Sequence, residues 1–98
     1  MVIEQLTFEV PVAEQPRFLA EDAAIWTAAL SARPGFLGKE SWREADRPDR
    51  LHLVIRWADR EAWKAVPADL LARTDAAFTA ALGMTYPVLR CLDQDVLP

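Results

Sequence analysis

The chain has 98 residues, of which 52% are hydrophobic and 27% charged, and its 15 acidic and 11 basic residues leave a formal net charge of −4. This length predicts a single domain over residues 1–98, and the acidic balance without a basic tract argues against a nucleic-acid partner. No uncharged apolar run approaches the roughly 18 residues that cross a membrane, and one cysteine with one histidine excludes an internal disulfide and multi-cysteine zinc sites.

The first third of the chain predicts a strand followed by a helix. Apolar and polar residues alternate from residue 2 to residue 10, which is typical of a half-buried strand that Pro11 ends. Helical spacing of apolar residues then predicts a helix over residues 13–32, and the Arg33-Pro34-Gly35 turn stops it. Because the amino terminus carries Glu4 and no basic segment, it predicts a strand rather than an export signal, so we expect a cytoplasmic protein.

The remainder predicts three strands and two helices. Residues 36–43 and 51–57 are typical of strands joined by a long polar loop, and Asp59 is a candidate N-cap for a short helix over residues 60–66. Pro67 is expected to open a helix over residues 67–82 that ends at Gly83, and a fourth strand lies within residues 85–96. The order βαββαβ predicts an α+β, ferredoxin-like fold: a four-stranded antiparallel sheet with both helices on one face.

The two faces of this sheet differ in composition. Leu6, Leu53 and Trp57 are expected on the face that the helices cover, together with Phe8, Trp42 and Ile55. The opposite face combines Ile3, Lys39 and Arg56 with Gln5, Thr7, Leu37, Ser41, His52 and Val54. This mixed face is too polar for a buried core and too apolar for a surface in contact with water. We therefore predict that a second copy of the chain covers it in a two-fold homodimer.

Three acidic residues interrupt the apolar pattern beneath the helices. Glu4 lies between Val2 and Leu6 on the covered side of the first strand, and Asp22 interrupts the apolar stripe of the first helix. Glu40 is placed on the covered face beside Trp42. A carboxylate in such a setting pairs with a base or has a raised pKa, as a general base requires, so Glu4 and Asp22 are the candidate catalytic residues. The plainer alternative is that all three reach solvent at element ends.

Four tryptophans and one tyrosine supply the candidates for ligand binding. Trp26, Trp57 and Trp63 can wall a flat aromatic pocket, because indole offers stacking area and one hydrogen-bond donor. Tyr86, at the junction of the last helix and strand, is a candidate donor to a substrate oxygen. The alternatives are a plain tryptophan core and an exposed turn tyrosine. His52 is assigned to the open face and Cys91 to a small buried apolar position.

Three motifs in this order resemble the antibiotic biosynthesis monooxygenase family of dimeric α/β barrels. They are the βαββαβ order, the Arg33-Pro34-Gly35-Phe36 turn, and Trp57 followed by Asp59-Arg60-Glu61-Ala62-Trp63. Within this superfamily the chain is most similar to a branch of small bacterial proteins that open with a sequence close to Met-Val-Ile-Glu and have no assigned function. The resemblance implies two protomers sharing a barrel and a ligand cavity between sheet and helices. It also implies chemistry such as cofactor-free oxygenation of phenols or quinols, or haem degradation.

Two departures from the family pattern narrow the chemistry. Many relatives place a histidine on the helix after the third strand, where this chain has Trp63-Lys64-Ala65-Val66, and the haem-degrading members need an asparagine, which this chain lacks altogether. Haem degradation is therefore not expected, and no cofactor or metal is assigned. The leading hypothesis is a cofactor-independent oxygenase of a small phenolic or quinol-type substrate. The alternatives are a non-catalytic small-molecule-binding or stress-associated protein, and a purely structural dimer whose cavity its own tryptophans fill.

Overall fold

The structure, a computed structural model, describes residues 1–98 and contains four strands and one layer of helices. The first helical segment is composite: a 3-10 turn (Val12–Glu14) leads into α1, a π-helical turn (Ala23–Thr27) follows, and α2 completes it. The elements are β1 (Val2–Glu9), α1 (Gln15–Asp22), α2 (Ala28–Ser31), β2 (Phe36–Arg43), β3 (Arg50–Trp57), α3 (Arg60–Lys64), α4 (Ala68–Leu82) and β4 (Val88–Asp95).

The strands form one antiparallel sheet in the order β2-β3-β1-β4, and the helices pack on one face. This is the ferredoxin-like arrangement, so the predicted fold class is confirmed. The order places β1 and β3 in the centre, where their alternating apolar residues are buried, and leaves β2 and β4 as edges. Pro87 immediately precedes β4, in agreement with the rule that proline is tolerated at a strand start or a sheet edge. No helix combines the length and the apolar character that crossing a membrane requires.

Most boundaries of the helices and strands agree to within a few residues with those predicted from the sequence. Asp59 caps α3 as predicted, because its carboxylate accepts a hydrogen bond of 2.8 Å from the backbone N–H of Ala62. Pro67 differs: it has extended backbone and serves as the N-cap of α4 rather than as its first residue. Gly83 ends α4 in the left-handed conformation, as expected of a glycine at this position.

Gly35 joins the first helical segment to β2 at a position that only glycine tolerates. Its φ of +83° lies in the left-handed region, and a Cβ at this point would collide with the side chain of Ala62 in α3. Its carbonyl also accepts a 2.7 Å hydrogen bond from the N–H of Ala58. The turn therefore brings the start of β2 and α3 into close contact at one end of the sheet.

A β-bulge in β2 overturns the predicted assignment of that strand's faces. Phe36 pairs with Trp57 and Gly38 pairs with Arg56, so Leu37 is an extra residue with no partner in β3. Because side chains alternate strictly along a strand, one extra residue moves every later side chain to the opposite face. Lys39 and Ser41 consequently lie on the helix side, whereas Glu40 and Trp42 lie on the open face, the reverse of the prediction.

Candidate functional site

A cavity of about 270 Å³ lies between the sheet and the helices, at the end where the first helical segment meets α3. Its walls come from every layer of the fold, and ten of its fourteen lining residues are hydrophobic. The four others are two carboxylates and two lysines. The lining comprises Glu4, Leu6, Asp22, Trp26, Leu30, Lys39, Leu53, Ile55, Trp57, Trp63, Lys64, Val66, Leu71 and Phe78.

The structure brings five of the six candidate site residues to this one cavity. Glu4 and Trp57 come from the central strands β1 and β3, Asp22 and Trp26 from the first helical segment, and Trp63 from α3. Their convergence follows from the fold, because the helices cover the same face of the sheet on which Glu4 and Trp57 lie.

Glu4 is a half-buried carboxylate held by an indole. The Trp57 Nε1–H donates a hydrogen bond of 3.1 Å to Glu4 Oε1, and the Trp57 side chain is fully buried. Burial raises the pKa of Glu4 above its ordinary value, while the Trp57 hydrogen bond and the charges of Lys64 and Lys39 oppose this rise. The result is an acid that binds its proton more tightly than an exposed glutamate does.

Asp22, at the end of α1, and Lys39, on β2, form a buried ion pair between the helices and the sheet. Lys39 Nζ donates to Asp22 Oδ2 at 2.6 Å, and each side chain is only 5% exposed. Asp22 Oδ1 is buried without any hydrogen-bond partner. Burial raises the pKa of Asp22, and the adjacent ammonium of Lys39 counteracts part of that rise. A buried pair with an unused acceptor is an incomplete hydrogen-bonding arrangement, which a polar ligand group can complete.

The three cavity tryptophans differ in how firmly they are held. Trp57 packs edge-to-face on Phe36 with ring centroids 5.8 Å apart and has no exposed surface. Trp26 lies half-buried in the π-helical turn, a type of local widening that is frequent at functional sites. Trp63 is also half-buried, and the ammonium of Lys64 lies 3.8 Å from its ring centroid. One rigid and two more accessible indoles therefore line the cavity.

Tyr86, the sixth candidate, lies outside this cavity at the other end of the helix-covered layer. Its ring packs edge-to-face on Phe18 at 5.3 Å, and its hydroxyl donates to Glu14 Oε2 at 2.6 Å. The carboxylate acceptor and partial burial together raise the pKa of the tyrosine hydroxyl. Its hydroxyl already donates to a partner within the chain, as expected for a packing residue.

Glu40, His52 and Cys91 also lie outside the cavity. Glu40 is exposed on the open face, where Arg56 holds it in an ion pair and lowers its pKa, so it has no place among the buried carboxylates. His52 lies on the open face as predicted, with Thr7 Oγ1 2.9 Å from Nδ1 and Glu44 Oε1 2.9 Å from Nε2. Cys91 is exposed on the edge strand β4, which corrects its predicted burial.

Lys39 and Lys64 are the two charged cavity residues that the sequence did not predict. Simple alternation placed it on the open face, and only the bulge at Leu37 moves it into the cavity beside Asp22. Gly38 was the available signal, because glycine within a strand often marks a bulge. Lys64 was also missed, although it follows Trp63 directly at the end of α3.

The fold and the site together define a ferredoxin-like α+β protein with an aromatic-lined, partly charged cavity beneath its helices. The chain belongs to the antibiotic biosynthesis monooxygenase family, whose sequence model matches residues 1–66. That range contains both cavity carboxylates, both cavity lysines and all three cavity tryptophans. None of the curated protein sequences matches the chain significantly.

Solved structures with a similar fold span the whole chain. A monooxygenase of Streptomyces coelicolor, the ActVA-Orf6 product in complex with nanaomycin D, is 16% identical with a TM-score of 0.72 and covers 99% of this chain and 91% of its own. The haem degrader MhuD of Mycobacterium tuberculosis, with two haems in its active site, is 24% identical with a TM-score of 0.65. The match covers 100% of this chain and 97% of MhuD. A putative antibiotic biosynthesis monooxygenase of Nitrosomonas europaea is 15% identical with a TM-score of 0.68 and covers both chains completely.

The cavity lining does not fit a haem. Haem iron in proteins is held by histidine, cysteine, methionine or tyrosine, and none of these four residue types lines the cavity. The single histidine, His52, lies on the opposite face of the sheet and is bonded to Thr7 and Glu44. The donor set here is instead two carboxylates and two ammonium groups, which suits the recognition of hydroxyl groups and anions.

Proposed function

We propose that this chain is a cofactor-independent oxygenase that acts on a small phenolic or quinol-type substrate in the cavity beneath the helices. The observation that carries the proposal is the buried Asp22–Lys39 pair, with an unpartnered carboxylate oxygen inside an otherwise apolar, tryptophan-lined cavity. A flat aromatic molecule with one hydroxyl group matches both features. Its ring would pack against the indoles, while its hydroxyl would meet the ion pair.

Asp22 is the stronger of the two candidate bases. Its Oδ1 has no partner, whereas Glu4 Oε1 already accepts the indole N–H of Trp57. Burial raises the pKa of both carboxyls, so each is a better proton acceptor than an exposed carboxylate. In this proposal Asp22 takes the proton from the substrate, Glu4 and Trp57 line the sheet side of the cavity, and Trp26 positions the ring.

The reaction would need no redox group in the protein. Removal of the hydroxyl proton by Asp22 gives the substrate anion, which passes one electron to O₂ and forms a substrate radical and superoxide. These two combine into a C–O bond to give a peroxide anion, which Asp22 reprotonates. Loss of water from the peroxide breaks the O–O bond and leaves a quinone. In total, one phenol and one O₂ become one quinone and one water, so atoms and electrons balance.

Oxygen uptake tests this proposal directly. We expect uptake above background with at least one member of a panel of quinols, naphthols and anthrones, with a quinone as product. Asp22→Asn should lower the rate about 100-fold or more, the usual contribution of a general base. Asp75→Asn on the exposed side of α4 is the matched control and should leave the rate unchanged. Background uptake across the whole panel would contradict the proposal.

A second candidate function is small-molecule binding without catalysis. This function is favoured because both cavity carboxylates already have a partner within the chain. Glu4 accepts a hydrogen bond from Trp57, and Asp22 forms an ion pair with Lys39. The same panel separates the two functions through quenching of the fluorescence of Trp26 and Trp63 at the cavity. Saturable quenching without oxygen uptake would favour the binding function and contradict the oxygenase.

We also propose that the chain forms a two-fold homodimer through the open face of the sheet. That face presents Trp42, 44% exposed, beside the Glu40–Arg56 ion pair and the His52 cluster. A large exposed indole within a polar network is typical of an interface rather than of a solvated sheet wall. In the homodimer each sheet would cover the other, and the two would form a shared barrel.

Sedimentation tests the homodimer. We expect the mass of two chains at micromolar concentration, and we expect Trp42→Glu to reduce it to one chain, because the charge would be buried opposite its own copy. Ala72→Glu adds the same charge on the exposed side of α4 and should remain dimeric. A wild-type protein that sediments as one chain contradicts the proposal.

A further inference from the structure

Lys39 is the one buried cation of the cavity, and its hydrogen-bonding capacity is only partly used. An ammonium group has three donors, and Lys39 Nζ uses one of them on Asp22 Oδ2 at 2.6 Å. The Asp22 carboxylate in turn lacks a hydrogen-bond donor, because Asp22 Oδ1 is buried without a partner. A group that both donates and accepts, such as a hydroxyl, can satisfy both ends of this pair at once.

The other charged groups of the cavity are placed differently. Glu4, from β1, has its carboxylate engaged by Trp57, and Lys64, at the end of α3, is an exposed residue whose ammonium lies over Trp63. Of the two cavity lysines, only Lys39 has a buried side chain, which is 5% exposed. An anion formed within this cavity would therefore find its closest buried counter-ion in Lys39.

We infer that Lys39 is a counter-ion that changes partner, pairing with the Asp22 carboxylate in the free protein and with the oxyanion of a bound phenol after the phenolic proton has moved to Asp22. The inference rests on the proposed function in one respect, that a phenolic molecule binds in this cavity. It adds a role for a residue that neither the family pattern nor the sequence analysis assigns.

Charge balance is the physical reason for this exchange. In the transfer the phenolic O–H bond breaks, an O–H bond forms on Asp22 and the electron pair stays on the phenolic oxygen. The three groups carry one negative and one positive charge before the transfer and the same charges after it. Because an unpaired charge is costly in a buried site, a transfer that keeps every anion beside Lys39 avoids most of that cost.

A nitrophenol tests the inference, because its phenolate is yellow and its ionisation can be followed without oxygen. The midpoint pH at which the bound molecule turns yellow is measured for the wild type, Lys39→Met and Asp22→Asn. We expect Lys39→Met to raise this midpoint by about one pH unit or more, a tenfold change in the ionisation constant. Asp22→Asn should lower it, since this variant removes the carboxylate that otherwise competes with the phenolate for Lys39. Arg73→Met removes one exposed positive charge from α4 and is the matched control.

A merely structural ion pair gives a different result. It predicts weaker folding in both variants but an unchanged midpoint pH in Lys39→Met, and such a result would overturn the inference. If Lys39→Met does not fold, Lys39→Gln takes its place and should raise the midpoint in the same way, because removing the Asp22 carboxylate lowers the midpoint whatever the role of Lys39. Failure of the wild type to bind the nitrophenol would also overturn the inference, whereas the proposed oxygenase function is judged separately by oxygen uptake.

Discussion

The layer between the sheet and the helices has two halves that are filled in opposite ways. One half, the phenylalanine half, contains Phe8, Phe18, Tyr86 and Phe78, of which Phe78 also borders the cavity. The rings of Phe8, Phe78 and Tyr86 each pack edge-to-face on Phe18 at centroid distances of 5.3 Å. The other, the cavity half, is built around Trp26, Trp57 and Trp63, with Val2, Leu30, Ile55 and Val66. The same sheet and the same helices thus support a dense core at one end and a hollow at the other.

The charges follow the same division. The cavity half contains Glu4 and the Asp22–Lys39 pair, whereas the buried polar group of the phenylalanine half, Gln15, has its bonding satisfied. Gln15 Nε2 donates to the carbonyls of Val10 and Pro48, and its Oε1 accepts from Arg43. Satisfied polar groups add to stability, whereas a buried group without a partner lowers it unless a ligand or a water molecule supplies one. One half of the layer therefore supplies stability, and the other is available for chemistry.

The largest expected effect is on stability, from a change in the phenylalanine half. Phe18 has no exposed surface and contacts three aromatic rings, so Phe18→Ala should lower the free energy of unfolding by about 3–5 kcal/mol. Urea denaturation measures this loss. Trp26→Ala, at the half-buried wall of the cavity, should cost clearly less, because its ring faces space that is already open. Equal losses of stability from the two substitutions would contradict the distinction between a densely packed half and a hollow half.

The second prediction concerns the pH dependence contributed by the cavity half. Because burial raises the pKa of Glu4, the folded chain binds the Glu4 proton more tightly than the unfolded chain does. The contribution of Glu4 to stability is therefore greatest below its ordinary pKa of 4.5 and declines as the pH rises through the raised value. Glu4→Gln should flatten that decline in urea denaturation measured across acidic to neutral pH.

Glu61→Gln is the matched control for this measurement, since Glu61 is exposed in the first turn of α3. It should leave the wild-type decline in place. A decline that persists unchanged in Glu4→Gln would show that the buried carboxylate of the cavity half does not contribute to it. Asp22→Asn should also flatten the decline in stability with rising pH, because burial raises the pKa of Asp22 as well.

The smallest expected effect comes from Tyr86. Tyr86→Phe removes the hydroxyl that bonds Glu14 but keeps the ring on Phe18, so the free energy of unfolding should fall by about 1 kcal/mol or less. Phenol binding at the cavity, measured by tryptophan fluorescence, should not change. A tenfold loss of phenol affinity in Tyr86→Phe would show that this residue contributes to binding. It would contradict the division of the layer into a stabilising half and a binding half.

Much of the fold was predictable because its signals are local. The alternation in β1 and β3, the Asp59 cap, the Gly83 stop and the turn at Gly35 each depend on a few adjacent residues. The grouping of Glu4 and Asp22 with the tryptophans was also predictable, since each interrupts or belongs to an apolar stripe on the covered face. The faces of β2 were not, because alternation holds only while the ladder is regular and the bulge at Leu37 breaks it.

The sequence by itself determined the element order, the ferredoxin-like class and a short set of polar residues beneath the helices. Only the tertiary structure decided which of these residues meet. It directed Lys39 into the cavity and Glu40 and Trp42 out of it, paired Lys39 with Asp22, and placed Tyr86 at the far end of the layer. The physical reason is that local periodicity specifies which side a residue faces, whereas strand register and helix packing specify its neighbours.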